Sequence, residues 1–414
     1  MIDSSSKEIK KFPDGFFWGA ATASYQVEGG IENTDWAKAA QEGIVPKCGI
    51  ACDHYARYEA DFDIAQSLGH NAHRLSIEWA RIEPEEGSFN EEEIEHYRKV
   101  LVALNVRGIR PYVTLWHFTL PAWFSEKGGF ERKDSPKIFA RYAAYVVSKL
   151  GDLCVDFSTM NEPAVFASNG WLRGSWPPFK RVSFADAISF TNSNEVRTEK
   201  TNNAITAIML YFRVMRHLAA AHNRAYDAIK EVAPEVSVSL VKHVIFFHAN
   251  WNPLNKLAAV LSNYFWTHRF MGRVYKKCDA IGLNYYFHKK YGDRATYVKT
   301  DMNWDIYPEG LEGSLMMLSI YKKPLYVAES GIADAKDIYR ADYIVRQVQA
   351  VWRAIEQGVD VRGHMYWSLL DNYEWALGYD KRFGLVEVDY KTQKRTIRPS
   401  ALLYKEICES NAVY

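Results

Sequence analysis

Eight short apolar runs, separated by helical or irregular sequence, constrain the fold of this chain most strongly. Such runs, bounded by turn residues, are typical of buried parallel strands, because helices cover both faces of a parallel sheet. We find no linker, internal repeat or break in composition between them. The pattern predicts one (β/α)8 TIM barrel, an α/β fold in which residues 1–414 form a single domain. The predicted strands are Phe16–Ala21, Ala72–Trp79, Arg110–His117, the run before Glu162, Val236–Val241, Asp279–Tyr286, the run before Glu329, and Gly363–Leu369.

Helical periodicity fills most of the sequence between these runs. A loop is predicted at Ser24–Gly29, a fixed aromatic loop at Gly170–Lys180 and a mobile polar segment at Thr191–Asn203, whereas Trp251–Met271 is predicted to be a surface helix. Asp53 is a plausible N-cap for the first long helix. The predicted helices are Asp53–Leu68, Glu91–Val106, Ser135–Leu150, Ala204–Val232, Ile338–Gln357 and Pro399–Cys408.

Composition excludes several classes of function. The net charge of +1 over 414 residues gives no electrostatic case for nucleic acid. No stretch reaches the roughly 18 apolar residues of a membrane span, and the polar N-terminus predicts no signal peptide. Five cysteines, an odd number in a long chain, indicate reduced thiols in the cytoplasm. Cys48, Cys52 and His54 are too few for a metal site. We expect no metal or cofactor, and a homo-oligomer stays open.

Two of the predicted strands end in a glutamate, Glu162 and Glu329. The carboxyl ends of the strands are where α/β barrels carry their chemistry. A single glutamate there could simply complement a helix N-terminus. Two such residues on two strands favour a hydrolase that uses a pair of carboxyl groups.

Other polar and aromatic side chains follow the strands at the same end of the predicted barrel. In a closed barrel these positions converge on one pocket, where amide, imidazole and carboxyl groups could bind sugar hydroxyls. Alone, His117 could be a structural histidine and Asn284 a turn residue. The converging set consists of Gln26, Arg74, His117, Asn161, Asn284, Tyr286, Trp367 and Glu374.

Cleavage of a glycosidic bond needs one protonated and one ionised carboxyl group. Arg74 near Glu329 would favour the ionised carboxylate of a nucleophile. Glu162, next to that charge and without a cation of its own, should have a raised pKa and could serve as acid and then base. The Tyr286 hydroxyl could orient the nucleophile.

With these residues in place, the chain resembles glycoside hydrolase family 1, the β-glucosidase and β-galactosidase family. The resemblance covers nearly the whole chain, and its motifs occur in the order of the family. They are Phe16–Ala21 with Tyr25, Gln26, Glu28 and Gly29; Arg74–Trp79 with Arg81 and Ile82; Leu115–Pro121; Thr159 with Asn161–Pro163; Gly282 with Asn284–Tyr286; Glu329 with Gly331–Asp334; and Trp367–Trp375.

The resemblance implies a retaining β-glucosidase with some β-galactosidase activity. Glu329 would attack the anomeric carbon and Glu162 would be the acid/base, with their carboxyl groups about 5–5.5 Å apart. Relatives that act on 6-phosphosugars carry a serine at the position of Glu374, so we expect a neutral β-glycoside or oligosaccharide as substrate. The residues implied to hold the sugar are Gln26, His117, Asn161, Asn284, Glu374, Trp375 and Phe383, with Trp367 as platform.

Three other functions stay open at this point. A barrel with few loops around its pocket could bind sugars without hydrolysing them. A transglycosylase would share the covalent intermediate but transfer it to an acceptor sugar. A metal-dependent barrel hydrolase is the third alternative.

Overall fold

A closed barrel of eight parallel strands forms the centre of the computed structural model, which describes residues 9–182, 201–202, 204–292 and 295–414. Each strand pairs with its neighbours in chain order, and the last strand pairs with the first. The predicted (β/α)8 fold is therefore confirmed. The strands are β1 Phe17–Ala21, β2 Ala72–Ser76, β3 Arg110–Thr114, β4 Asp156–Asn161, β5 Ser237–Ala249, β6 Ala280–Tyr291, β7 Leu325–Ser330 and β8 Val361–Trp367.

Helices surround the barrel and connect its strands. The bounds of the three predicted helices Glu91–Val106, Ser135–Leu150 and Ala204–Val232 are confirmed. The helices are α1 Ser24–Val27, α2 Asp35–Gln41, α3 His54–Ser67, α4 Trp79–Ile82, α5 Glu91–Val106, α6 Ala122–Glu126, α7 Ser135–Leu150, α8 Pro163–Trp171, α9 Ala204–Val232, α10 Pro253–Asn263, α11 Arg269–Val274, α12 Gly310–Ser319, α13 Arg340–Glu356 and α14 Pro399–Ser410.

Two strands run further than the sequence pattern predicts. β5 and β6 stay paired up to the contact of Ala249 with Tyr291, beyond the predicted ends at Val241 and Tyr286. Backbone pairing continues there although both strands now include lysine and histidine side chains, and it carries β5 and β6 up beside the pocket. β2, in contrast, stops at Ser76, before the predicted end, and α4 follows within a few residues.

Three helical predictions need correction. Asp53 precedes α3, but its φ is 53° and its side chain makes no capping bond; instead the Asp53 carboxylate accepts from Arg57 Nε at 2.7 Å. The predicted loop at residues 24–29 contains α1. The predicted surface helix Trp251–Met271 is interrupted between α10 and α11 by a π-helical turn at Tyr264–His268.

The predicted polar segment Thr191–Asn203 lies outside the described residues, except for Thr201–Asn202, which pairs with Arg181–Val182. Two further short antiparallel strand pairs lie outside the barrel. Lys10–Lys11 pairs with Ala412–Val413. Val386–Val388 pairs with Arg395–Ile397 in a hairpin.

Side chains fill the lower half of the barrel, so the barrel is a packed core below and a pocket above. Tyr112 Oη lies 2.6 Å from Ser239 Oγ across this interior. The core layer consists of Phe17, Ala72, Tyr112, Val241, Ala328 and Met365. Within the described part of the chain, no helix combines the length and apolar character that crossing a membrane requires. All five cysteines are buried free thiols.

The close approach of β1 and β2 requires a glycine at position 19. A Cβ atom at Gly19 would lie 1.8 Å from the carbonyl oxygen of Ala72. We predict that Gly19→Ala lowers the free energy of unfolding by about 3 kcal/mol, because the backbone must move to relieve the clash. Chemical denaturation followed by circular dichroism measures this change.

Gly272→Ala is the matched control, because a Cβ atom there meets nothing within 4 Å and the residue lies in α11. We expect this variant to keep the wild-type stability or to gain up to about 1 kcal/mol, since alanine is the better helix former. Equal stabilities of the two variants would contradict the packing argument.

Candidate active site

A pocket opens at the carboxyl ends of the barrel strands and contains most of the predicted site residues. Arg74 and Asn284 lie directly behind it and bind its carboxyl and amide groups. The predicted residues that line the pocket are Gln26, His117, Asn161, Glu162, Tyr286, Glu329, Trp367, Glu374, Trp375 and Phe383.

Glu162 occupies the residue between β4 and α8, in a left-handed backbone conformation with φ 43° and ψ 57°. Pro163 follows as the first helical residue, where its missing N–H costs nothing. The Glu162 backbone N–H donates to the Val241 carbonyl on β5 at 2.9 Å. A left-handed non-glycine residue costs on the order of 1–3 kcal/mol, and such strain is concentrated at functional sites. Here it aims a buried carboxyl group into the pocket.

Glu329 lies near the end of β7 and is only 3% exposed. One of its carboxylate oxygens pairs with the guanidinium of Arg74, and the other accepts from the Tyr286 hydroxyl at 2.5 Å. Burial and the Glu329 charge raise the pKa of Tyr286 well above its usual value, so the phenol keeps its proton and donates. The contacts predicted for Glu329 are therefore present.

Two asparagines connect the two carboxyl groups. Asn161 Oδ1 accepts from Arg74 Nη2 at 2.8 Å and from Asn284 Nδ2 at 3.1 Å. Asn284 Nδ2 also donates to Glu162 Oε1 at 2.6 Å. A continuous chain of hydrogen bonds thus runs from Glu162 through the two amides and Arg74 to Glu329.

The surroundings of Glu162 favour the protonated form of its carboxyl group by raising its pKa. Burial, followed by the negative charge of Glu329, raises the pKa of Glu162 to about 8. The Asn284 hydrogen bond and the charges of Lys242 and Arg74 oppose this shift without cancelling it. The expected raised pKa of Glu162 is therefore present, and its main cause is burial.

A buried lysine of β5, Lys242, was not anticipated near Glu162, and its positive charge opposes the raised pKa of Glu162. Lys242 is fully buried, and its Nζ donates to the His243 carbonyl at 2.5 Å. Nζ also lies 5.0 Å from the centre of the Trp266 ring. Burial lowers the pKa of Lys242 to about 7, and Glu162 opposes that shift.

Several polar atoms around the pocket are buried without a hydrogen-bond partner among the described residues. Gln26 Nε2 donates to Asn372 Oδ1 and to the Tyr373 carbonyl, whereas Gln26 Oε1 has no hydrogen-bond partner. His117 Nε2 faces Asn161 Nδ2 at 3.2 Å, which leaves Nδ1 over. Buried polar groups are normally satisfied, so unsatisfied atoms at a cavity indicate a polar ligand. The atoms are Gln26 Oε1, His117 Nδ1, His243 Nδ1 and Asn284 Oδ1.

Aromatic rings also line the pocket. The His117 ring stacks 5.9 Å from Trp367 and 6.2 Å from Trp375. Trp375 has a φ of 50° and Phe118 a φ of 76°, so the backbone is strained at two further residues that line the pocket. The apolar face of a pyranose ring fits against such a wall while its hydroxyls reach the polar atoms.

Sequence reasoning missed several residues that line the pocket. His243 and Ile245 alternate on β5 beyond its predicted end, so continuing the period-two pattern past Val241 would have found them. Trp266 lies in the π-helical turn, and Trp304 lies in the irregular segment after β6; neither carries a local signal. The lining residues not predicted are Phe118, Val165, Asn169, Arg173, Trp176, His243, Ile245, Trp266, Phe287, Met302 and Trp304.

Comparison of the sequence with known proteins matches one family over nearly the whole chain. The model of glycosyl hydrolase family 1 matches residues 8–271 and 257–413. "Beta-glucosidase A" of Thermotoga maritima is 32% identical over 98% of this chain and 99% of its own length. "Beta-galactosidase" of Sulfolobus acidocaldarius is 30% identical over 97% of this chain and 96% of its own.

Solved structures match over a similar length. A beta-glycosidase from Pyrococcus horikoshii is 35% identical with a TM-score of 0.86, covering 98% of this chain and 97% of that one. Beta-glucosidase from Thermotoga maritima in complex with glucoimidazole is 30% identical with a TM-score of 0.87, covering 97% and 99%. The family match spans nearly every residue of the chain. This protein therefore belongs to glycosyl hydrolase family 1 and is an O-glycosyl hydrolase.

Proposed function

We propose that this enzyme is a retaining, exo-acting β-glycosidase with Glu329 as nucleophile and Glu162 as acid/base. The observation that carries the proposal is the unequal surroundings of the two carboxyl groups. Glu329 is paired with Arg74 and hydrogen-bonded by Tyr286, whereas Glu162 is buried with a raised pKa. The separation of about 5–5.5 Å expected for a retaining pair stays a prediction.

In the first step, a Glu329 oxygen attacks the anomeric carbon as the glycosidic bond breaks. The Glu162 carboxyl group gives its proton to the departing oxygen, so no alkoxide is released. Arg74 and Tyr286 hold the Glu329 carboxylate from both oxygens, which fixes the direction of attack. The product of this step is a covalent glycosyl-enzyme.

In the second step, water replaces the leaving group and attacks the same carbon. Glu162, now a carboxylate, accepts the proton of this water, and the bond to Glu329 breaks. Formation of the ester removes the negative charge of Glu329, which is the second-largest cause of the raised pKa of Glu162. The charges of Lys242 and Arg74 then favour the carboxylate that the base needs.

In this proposal the unsatisfied polar atoms and the aromatic wall bind the sugar. Gln26 Oε1 can accept from a hydroxyl, and the pKa of His117 is held well below its usual range by burial, so the ring is neutral. With Nε2 accepting from Asn161, His117 Nδ1–H would donate to the sugar. Trp367, Trp375 and Phe383 complete the subsite as a platform and walls, as inferred from their positions in the pocket.

The relatives support a β-glucosidase with β-galactosidase side activity. Proteins named for the two sugars are similar to this chain at nearly equal identity, 32% and 30%. Glu374 lines the pocket, and an anion there would repel a phosphate group. We therefore propose a terminal, neutral, β-linked sugar as the substrate.

We also propose that residues 1–414 form one domain, since the barrel strands run from Phe17 to Trp367. The five buried thiols are compatible with the reducing cytoplasm, which stays a prediction. Assembly into a homo-oligomer likewise stays a prediction.

Glu329→Gln tests the nucleophile. The amide has nearly the same shape but cannot form the glycosyl ester, so we predict a loss of at least about 10⁴-fold in kcat for every β-glucoside. Steady-state kinetics on 4-nitrophenyl and 2,4-dinitrophenyl β-glucosides measures it, with circular dichroism to verify folding. Wild-type turnover in this variant would refute the assignment.

Glu162→Gln is the matched variant for the acid/base. We predict a loss of about 10²–10⁴-fold on alkyl glucosides, whose leaving group needs a proton. Release of 2,4-dinitrophenol, which needs none, should continue, and azide should accelerate turnover with formation of β-glucosyl azide. Equal losses on both substrates without rescue by azide would show that Glu162 has another role.

The pH profile reports the protonation of Glu162. As an acid with a pKa raised to about 8, Glu162 is competent below that pH, so kcat/KM should fall as pH rises through about 8. Glu162→Gln lacks this titrating carboxyl group, so its residual turnover should lose the basic limb. A limb near pH 8 that persists in Glu162→Gln would show that another group titrates there.

Glu374→Ser tests the preference for a neutral sugar. The wild type should hydrolyse 4-nitrophenyl β-glucoside and leave its 6-phospho derivative intact, because two anions would meet in the pocket. We predict that Glu374→Ser loses at least about tenfold in kcat/KM on the neutral sugar, the order expected for loss of a hydrogen bond to a charged group. Hydrolysis of the phosphorylated substrate by the wild type would contradict the prediction.

A further inference from the structure

A row of large apolar side chains covers the solvent-facing side of α10 and continues into the π-helical turn after it. Leu254, Leu257 and Leu261 are 75%, 55% and 47% exposed, and their spacing of three and four residues places them on one side of the helix. A single exposed leucine is ordinary, but a contiguous exposed row marks a binding surface. The apolar row consists of Trp251, Leu254, Leu257, Val260, Leu261 and Phe265.

The polar side of α10 faces the barrel. Ser262 Oγ lies 2.7 Å from the Tyr291 hydroxyl of β6. Asn263 Nδ2 donates to the Phe247 carbonyl of β5 at 2.8 Å, and Ala259 on the same side of the helix is buried. A surface helix normally does the reverse and buries its apolar side. Because polar side chains attach α10 to the two strands, its apolar row is held outward.

The stretch of sequence that contains the apolar row is basic. Residues 236–278 contain no aspartate or glutamate, although the whole chain has nearly equal numbers of acidic and basic residues, 50 and 51. Lys256 on α10 and Arg273 on α11 are exposed, and neither forms an ion pair with any of the described residues. The positive charge of this stretch is therefore presented to the surroundings.

α9 extends the surface on the other side of the π-helical turn. Arg269 Cζ lies 4.0 Å from the centre of the Phe212 ring and 5.9 Å from that of Phe265, so this arginine connects the two segments. Phe212 and Arg216, one turn apart on α9, are both exposed. Residues 201–226 likewise contain no acidic residue. We call the combined surface the apolar–basic face; it consists of the apolar row with Phe212, Arg216, Lys256, Arg269 and Arg273.

We propose that the apolar–basic face binds the surface of an anionic lipid bilayer, with its leucine and aromatic side chains at the boundary between headgroups and acyl chains. Helices that lie in a bilayer interface combine an apolar side rich in leucine and aromatic residues with lysine and arginine beside it. Each basic side chain near the lipid headgroups strengthens binding about fivefold. A second copy of this chain fits the face less well, because two identical basic surfaces repel each other. The inference is independent of the roles proposed for Glu162 and Glu329.

Sedimentation of the enzyme with lipid vesicles tests the proposal. Vesicles of phosphatidylcholine with about 30% phosphatidylglycerol supply the anionic surface, and vesicles of phosphatidylcholine alone are the neutral comparison. We expect the wild type to bind the anionic vesicles at least about tenfold more strongly than the neutral ones. Raising the salt concentration to about 0.5 M should release most of the protein, because salt screens the attraction.

Leu257→Glu tests the apolar row, and Leu402→Glu on α14 is its matched control. The two leucines are 55% and 52% exposed and lie outside the active-site pocket, so both variants should fold and keep the wild-type kcat/KM on 4-nitrophenyl β-glucoside. We expect Leu257→Glu to weaken vesicle binding at least about tenfold, because it removes an inserted apolar side chain and adds a negative charge. Leu402→Glu adds the same charge on another helix and should bind as the wild type does.

Arg273→Gln tests the basic part of the face. We expect it to weaken binding to the anionic vesicles about fivefold and to reduce the dependence on salt, while binding to the neutral vesicles stays the same. Lys137→Gln is the matched control, because Lys137 is exposed on α7 and forms no ion pair with any residue that the structure describes. It should keep the wild-type affinity.

Three outcomes would overturn the proposal. The first is a wild-type enzyme that stays unbound with both kinds of vesicle. The second is an equal loss of binding in Leu257→Glu and Leu402→Glu, because the apolar row would then have no special part. The third is a dimer in analytical ultracentrifugation that Leu257→Glu dissociates, without vesicle binding by the wild type, which would assign the face to a second copy of this chain.

Discussion

The buried guanidinium of Arg74 is the interaction on which the rest of the site depends. Two carboxyl groups close together in a buried pocket cannot both ionise without a compensating charge. Arg74 is 1% exposed and pairs with Glu329, so the positive charge falls on one carboxyl group and only indirectly on the other. A buried ion pair gains little stability by itself, because desolvation offsets the attraction. Its value here is the difference it makes between two otherwise similar groups.

The barrel supplies the rigidity that keeps this difference in place. Asn161, Asn284 and Arg74 come from three different strands, yet their side chains form one hydrogen-bonded chain. A side chain on a paired strand has little freedom to move, so a network made from several strands is preorganised before substrate enters. The strained backbone at Glu162 and Trp375 is tolerated for the same reason: the surrounding packing leaves no alternative.

The part of the site next to Glu162 is organised around β5. The His243 carbonyl accepts from both Lys242 Nζ and Trp266 Nε1, at 2.5 and 3.2 Å. One backbone oxygen thus holds both the cation near Glu162 and an indole that lines the pocket. The electrostatics of Glu162 and the shape of the adjacent pocket wall therefore depend on the same short stretch of strand.

The sequence alone determined the barrel and predicted two glutamates at the carboxyl ends of its strands. Eight apolar runs with helices between them admit few folds, and a glutamate after two of the runs, Glu162 and Glu329, fell at the end where such barrels bind substrates. Arg74, a charge inside an apolar run, was informative because burial of an unpaired charge is too costly to occur without a partner. Local periodicity and the cost of buried charge were enough for these predictions.

Only the tertiary structure decided which other groups meet these carboxyl groups. Lys242 lies one residue past the predicted end of β5, and no local pattern relates it to a glutamate 80 positions earlier in the chain. Trp266 belongs to a segment whose pattern indicated a plain surface helix, yet a π-helical turn that packs on β5 brings its ring to the pocket. Contacts between distant segments depend on strand length, helix interruption and packing, which short-range sequence patterns do not encode.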